Sequence, residues 1–132
     1  MDKIEQEIQN KGKTAPRITP SDIEANIASE HYFTGWDGIN GALAASNLHQ
    51  RHADTDTANG QQLPAATPYE ATRLLTFCVI VLRNGFTVTG ESACASPENF
   101  DAEIGRKIAR QNAFAKIWPL MGYELRTKLS GL

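Results

Sequence analysis

A chain of 132 residues and 14.4 kDa suits one domain, and folding can bury about two-thirds of its surface without a metal or a disulfide. Hydrophobic residues make up 41% and charged residues 21%, which excludes a disordered chain. Thirteen basic residues against fifteen acidic ones leave a net charge of −2, which speaks against a nucleic-acid coat while leaving room for a local basic patch.

The first ten residues, MDKIEQEIQN, are polar and carry three acids, so no signal peptide is expected. The longest apolar run, Phe77–Leu82, is far shorter than a membrane span. The expectation is a cytoplasmic protein with no membrane partner. Cys78 and Cys94 then read as thiols rather than a disulfide. His31, His49 and His52 lack the spacing of a zinc site, and Asp54 and Asp56 lack the rest of a calcium loop. Neither a metal nor a cofactor is expected.

Residues 1–18 read as a polar lead-in, in which Ile4 and Ile8 form one helical pair before Gly12 and Pro16. Thr19 is an N-cap, with Pro20 at the first helical position and Asp22 near the positive end of the dipole. The helix continues through DIEANIASEHYF, with Ile23 and Ile27 on one stripe and Gly35 closing it. Residues 35–68 are irregular, with room for a short helix over 40–49 around Leu43 and Leu48 and a polar, exposed loop over 50–62.

From Arg73 the pattern sharpens. RLLTFCVIVL has strand length and β-branched composition, and Asn84-Gly85 predicts a type I′ hairpin. The return strand alternates, Phe86, Val88 and Gly90 facing one way and Thr87, Thr89 and Glu91 the other. The first strand is apolar on both faces, so it is central or covered on both sides, another subunit being one such cover. Ser96-Pro97 starts a second helix, with a later start capped by Asn99 also allowed. Phe100, Ile104, Ile108, Gln111, Ala115 and Trp118 form its stripe, with Ala109, Ala113 and Ile117 alongside. Pro119 ends or kinks it, and Glu124–Leu129 reads as a last strand or a short turn. The expected class is α+β: a small antiparallel sheet (hairpin 74–94) packed with an N-terminal and a C-terminal helix and completed by oligomerisation. The expected organisation is a polar segment over 1–18 and one domain over 19–132, with an irregular loop at 35–68.

The sequence holds no GxSxG, Walker or GxGxxG motif. Asp101 and Glu103 sit two apart at a helix start and read as dipole-compensating acids. Cys94 precedes a helix start, where a thiol is either activated or simply structural. The richest stretch is Gly90–Arg110, which joins small residues, a helix start and the cations Arg106, Lys107 and Arg110, with Phe86 or Phe100 available to stack on a base. The same residues also read as a core aromatic and a solvated helix face.

The segment LLTFCVIVLRNGFTVTGESACASPENFDAEIGRKIARQNAFAKIWPLMGYELRTKL (74–129), with ITPSDIEANIASEHYF (18–33), resembles a family of small phage and prophage proteins that includes the first-type Thoeris anti-defence proteins. The resemblance implies a non-enzymatic sponge, which sequesters the cyclic ADP-ribose isomer made by bacterial TIR-domain proteins. It also implies, for some members, capture of CBASS cyclic trinucleotides at a separate site in a hexamer built of dimers. Its implied partners are thus a cyclic nucleotide signal and further copies of the chain, with no DNA or RNA polymer. On these residues it implicates Phe86, Asn99, Phe100 and Arg106 in ligand binding, and Arg110 and Arg126 in a second, inter-subunit phosphate site. A sponge needs no acid, base or metal, only arginines, amide donors and a stacking ring around a doubly anionic ligand. Masking of a host protein through the apolar hairpin, and enzymatic degradation of the signal, are the competing readings.

Overall fold

Helix and strand boundaries follow from a few local devices. The computed structural model describes residues 3–50 and 70–132, and the side chains of all of these but 47–50. In chain order the described elements are α1 (Lys3–Asn10), α2 (Pro20–Ala25), β1 (Ile27–Thr34), α3 (Gly35–Gln50), β2 (Leu75–Leu82), β3 (Thr87–Ala93), α4 (Ala102–Ala115) and α5 (Ile117–Leu129). Single turns of 3-10 helix at Ala71–Leu74 and Pro97–Asn99 lead into β2 and α4. The class is α+β, as expected. The expected exposed loop over 50–62, with Asp54 and Asp56, lies outside the described residues except for Gln50, which ends α3.

The lead-in holds a helix. Glu5 of α1 is buried, and both its oxygens accept from Arg17, at 2.8 Å each. This fork pins α1 to the strand of chain before α2. Thr19 caps α2 as expected: its hydroxyl accepts from the Asp22 N–H at 3.1 Å, and the Asp22 carboxylate accepts from the Thr19 N–H at 2.9 Å. The helix is much shorter than predicted, however. It stops at Ala25, and Ile27–Thr34 is a strand rather than more helix. After a register shift between Ile27 and Ser29, Glu30–Thr34 alternates with a period of two and pairs antiparallel with β2, and that long-range ladder overrides the local helical spacing of Ile23 and Ile27. Gly35 therefore opens α3 instead of closing α2. Thr34 and Asp37 exchange side-chain bonds with each other's N–H at 3.1 and 3.0 Å, a second capping box.

The sheet order is β1-β2-β3, all antiparallel, so the apolar strand Leu75–Leu82 is central. Thr76, Cys78, Ile80 and Leu82 are its buried face. Leu75, Phe77, Val79 and Val81 lie half-buried on the opposite face, where Phe77 stacks on Phe33 at 5.4 Å. The hairpin differs in detail from the prediction. A type I′ turn needs positive φ at Asn84 and Gly85, but only Gly85 has it, at +90°. Leu82 and Phe86 are paired across a three-residue loop, with the Gly85 N–H donating to the Leu82 carbonyl at 2.9 Å. The Asn84 side-chain oxygen accepts from the Phe86 N–H. Asn84 serves here as a side-chain acceptor rather than as a left-handed residue.

Helix α4 begins later than predicted. Its cap is Asp101, whose carboxylate accepts from the Ile104 N–H at 3.1 Å, while Ser96 makes no side-chain cap bond. The buried face is also different. Gly105, Ala109 and Ala113 face the sheet, whereas Ile104 and Ile108 are 55% and 41% exposed. The cause lies in β3: a Cβ on Gly90 would stand 2.2 Å from the Ala109 carbonyl oxygen and from the Ala113 nitrogen. Backbone meets backbone, and only small residues fit between them. The core is Ile23, Cys78, Ile80, Leu82, Val88, Ala109, Ala113 and Ile117. The helical path breaks at Lys116, and Pro119 sits in the first turn of α5, where a missing N–H is tolerated. Residues 124–129 are therefore helical, not a strand. No helix among the described residues is long and apolar enough to cross a membrane.

Candidate functional site

Strand β3 separates the predicted ligand residues into two groups. Phe86 precedes it and Asn99 follows it. At about 3.3 Å per residue, the strand places these on the order of 20 Å apart. Helix α4 runs back along the sheet from the Asn99 end, with Gly105 against Thr76, which pairs with Ser92, and Ala113 against Gly90 farther towards Phe86.

At the start of α4, Asn99 and Arg106 are exposed and Phe100 is half-buried, its ring edge beside Gly105. The Pro97–Asn99 turn and the Asp101 cap fix this corner, the Asn99 N–H donating to the Ser96 carbonyl at 3.0 Å. Arg106 has no ion-pair partner among the described residues, while its neighbour Lys107 lies 3.5 Å from Glu103. These three predicted residues share one end of the molecule. Phe86, 56% exposed, stands at the other end beside the hairpin turn, and Arg126 is exposed on α5.

Arg110 has a structural employment. Its Nε and Nη2 donate to the two Glu30 oxygens at 3.0 Å each, and Nη1 and Nη2 donate to Glu24 at 3.3 and 2.9 Å. The guanidinium also lies 5.4 Å from the centre of the Phe114 ring. This cluster ties α4 to α2 and β1. The Tyr32 hydroxyl donates to Glu30 at 2.7 Å. The Arg110 fork holds the Glu30 carboxyl below the usual carboxylate range, against the opposing effect of burial, with the Tyr32 hydroxyl helping. Glu30 and then Glu24 in turn raise the Arg110 guanidinium. Burial pushes both the Tyr32 hydroxyl and the Cys78 thiol upward. Cys78 and Cys94 are both free thiols, and Cys94 donates to the Ser96 carbonyl at 3.2 Å.

At the turn end lies a groove of about 580 Å³ between α2, the hairpin loop and α5. The i, i+3, i+4, i+7 face of α5 (Met121, Glu124, Leu125, Lys128) lines it together with Arg83 and Asn84 of the hairpin loop. Sequence reasoning missed Arg83 and Lys128. The spacing of Met121, Leu125 and Lys128 was visible, but the expectation of a strand or turn over 124–129 hid it. Among the described residues no group of three His, Cys, Asp or Glu could hold a metal ion.

Comparison with curated proteins finds no match, and comparison with solved structures finds none either. The chain does match the Phage protein (N4 Gp49/phage Sf6 gene 66) family over residues 18–129. That span takes in α2, all three strands and both helices carrying Arg106 and Arg126, so the whole scaffold of the candidate site falls inside it. The chain belongs to the Phage protein (N4 Gp49/phage Sf6 gene 66) family.

Proposed function

We propose that this phage-family protein binds and sequesters a cyclic nucleotide immune signal without cleaving it, the cyclic ADP-ribose isomer of Thoeris immunity being the first candidate and CBASS cyclic oligonucleotides the second. The observation that carries this reading is the corner at the start of α4, where Arg106, free of ion pairs among the described residues, shares one end of the fold with Asn99 and Phe100. A guanidinium with all its donors available binds a phosphate bidentately, an amide adds a donor and acceptor, and a phenyl edge packs against a base. The corner is open in one chain, so capture involves a second copy closing over it. A three-stranded sheet whose central strand is apolar on both faces supports such an assembly.

The test is recovery of ligand. The protein is mixed with the cyclic ADP-ribose isomer, separated from unbound ligand, heat-denatured, and the supernatant is analysed by mass spectrometry. The reading expects ligand retained by the folded protein and released intact. Altered ligand means an enzyme, and no retention favours the masking of a host protein through the apolar hairpin.

A further inference from the structure

We propose that the outer edge of β3, with the α4 side chains beside it, docks an extended segment of a partner protein, which adds one more strand to the sheet. The inference does not rest on the sponge reading. The sheet has two outer strands, and they are finished differently. Strand β1 carries a register shift between Ile27 and Ser29 and turns the charged Glu30 inward onto Arg110. A bulge and an inward charge both discourage pairing at an edge. Strand β3 has neither: it pairs with β2 at seven regular positions, from Leu75 with Ala93 to Val81 with Thr87.

The bonding pattern leaves that edge open. The Leu82 N–H donates to the Phe86 carbonyl at 2.8 Å, and the Cys94 N–H to the Leu74 carbonyl at 3.0 Å. Bonded pairs alternate in an antiparallel ladder, so Val88, Gly90 and Ser92 bond to β2. Thr87, Thr89, Glu91 and Ala93 therefore turn their N–H and C=O groups outward. Among the described residues only the Glu91 carbonyl is met there, by the Asn112 side-chain amide at 2.7 Å. Asn112 stands where a donor from another strand would stand, and the groups of Thr87 and Thr89 remain.

Asn112 also fixes which side of α4 overlooks the edge. Ile108 stands one turn before it and Ile104 one turn before that, so the three form one row on the β3 side of the helix. Arg110, on the other side, reaches β1. Both isoleucines are exposed. A row of unmet backbone groups is satisfied only by another extended backbone, which gives the occupant its form. Its side chains follow from the two faces it would meet. Those turned towards α4 face Ile108 and should be apolar. Those on the opposite face lie beside Thr87, Thr89 and Glu91, and Glu91 has no ion pair among the described residues, so a basic residue fits there. The partner segment thus alternates apolar residues with basic or hydroxyl ones.

The test is a titration of the full ¹⁵N-labelled chain followed by NMR. The probe is the end-blocked heptapeptide Lys-Val-Lys-Val-Thr-Val-Lys, and the control is the same peptide N-methylated along its backbone. The expected result is saturable shifts at the amides of Thr87, Thr89 and Glu91 and along the Ile104–Asn112 row, with the probe and not with the control. Thr89→Pro removes an outward N–H and should abolish binding, a change that an edge strand tolerates. Ile108→Ser, an exposed position, should weaken binding about tenfold with the rest of the spectrum unchanged, and Arg106→Ala should leave it unchanged. No saturable shift at millimolar peptide, equal binding of the N-methylated control, or full binding by Ile108→Ser would each overturn the proposal. So would shifts at Thr87–Ala93 that grow with protein concentration in the absence of peptide, which would assign the edge to a second copy of the chain. None of these outcomes bears on retention of the cyclic nucleotide, so the two readings fail separately.

Discussion

The two C-terminal helices meet the body of the protein in opposite ways. Helix α4 lies on β3 so closely that Gly90 has no room for a methyl group, while α5 stands off from α2 and leaves a groove. The first contact is built from Gly90, Gly105, Ala109 and Ala113 and has little to bind with. The second is built from longer polar and apolar side chains and has chemistry to offer. Close packing fixes the frame on the sheet side of α4, and looser packing along α5 leaves longer side chains open to solvent.

Glycine substitutions break this contrast most sharply. Gly90→Ala pushes a methyl into the α4 backbone and should cost about 3 kcal/mol, seen as a lower urea midpoint. The matching change on α5, Gly122→Ala, meets nothing within 4 Å and should be neutral or stabilise by up to about 1 kcal/mol through helix propensity. Equal effects at the two positions would mean that α4 is not seated on β3 as described.

Arg110→Ala comes next, at about 2 kcal/mol, because it strips Glu30 and Glu24 of their shared cation. The pH dependence has a definite sign. Folding lowers the Glu30 pKa, so its contribution is present above the ordinary glutamate range, near about pH 4.3, and is lost as the pH falls below it. The parent should therefore lose stability on acidification more steeply than Arg110→Ala, as read by thermal melts between neutral pH and the acid limb. Gly85→Val, which forces a β-branched residue to a φ of +90°, should cost about 1–2 kcal/mol and leave the sheet intact.

The hairpin, the central position of its first strand and the Thr19 cap were legible in the sequence because each is a local pattern. The misreadings share one cause: partners distant in the chain. Ile27–Thr34 looked helical until its ladder with β2 was known. Large Ile104 and Ile108 looked like the core face of α4, yet the close approach at Gly90 selected Gly105, Ala109 and Ala113 instead. Of the candidate site, Asn99, Phe100 and Arg106 are neighbours in sequence and were found together. Arg110 met carboxylates eighty or more positions away, and no local signal announces those.

Arg106→Ala is expected to have the smallest effect on stability. Being exposed and without an ion pair among the described residues, it should leave Tm unchanged while weakening cyclic nucleotide capture by about 2 kcal/mol. A parallel fall in Tm would place Arg106 in the frame rather than in the site.

Stoichiometry tests the central claim most directly. With the cyclic ADP-ribose isomer in large excess, free ligand is followed over time at several protein concentrations. The sponge account predicts rapid depletion to a plateau that scales with protein and then stays constant, with the missing ligand recovered intact on denaturation. Depletion that continues past that plateau with time, or none at any protein concentration, would contradict it.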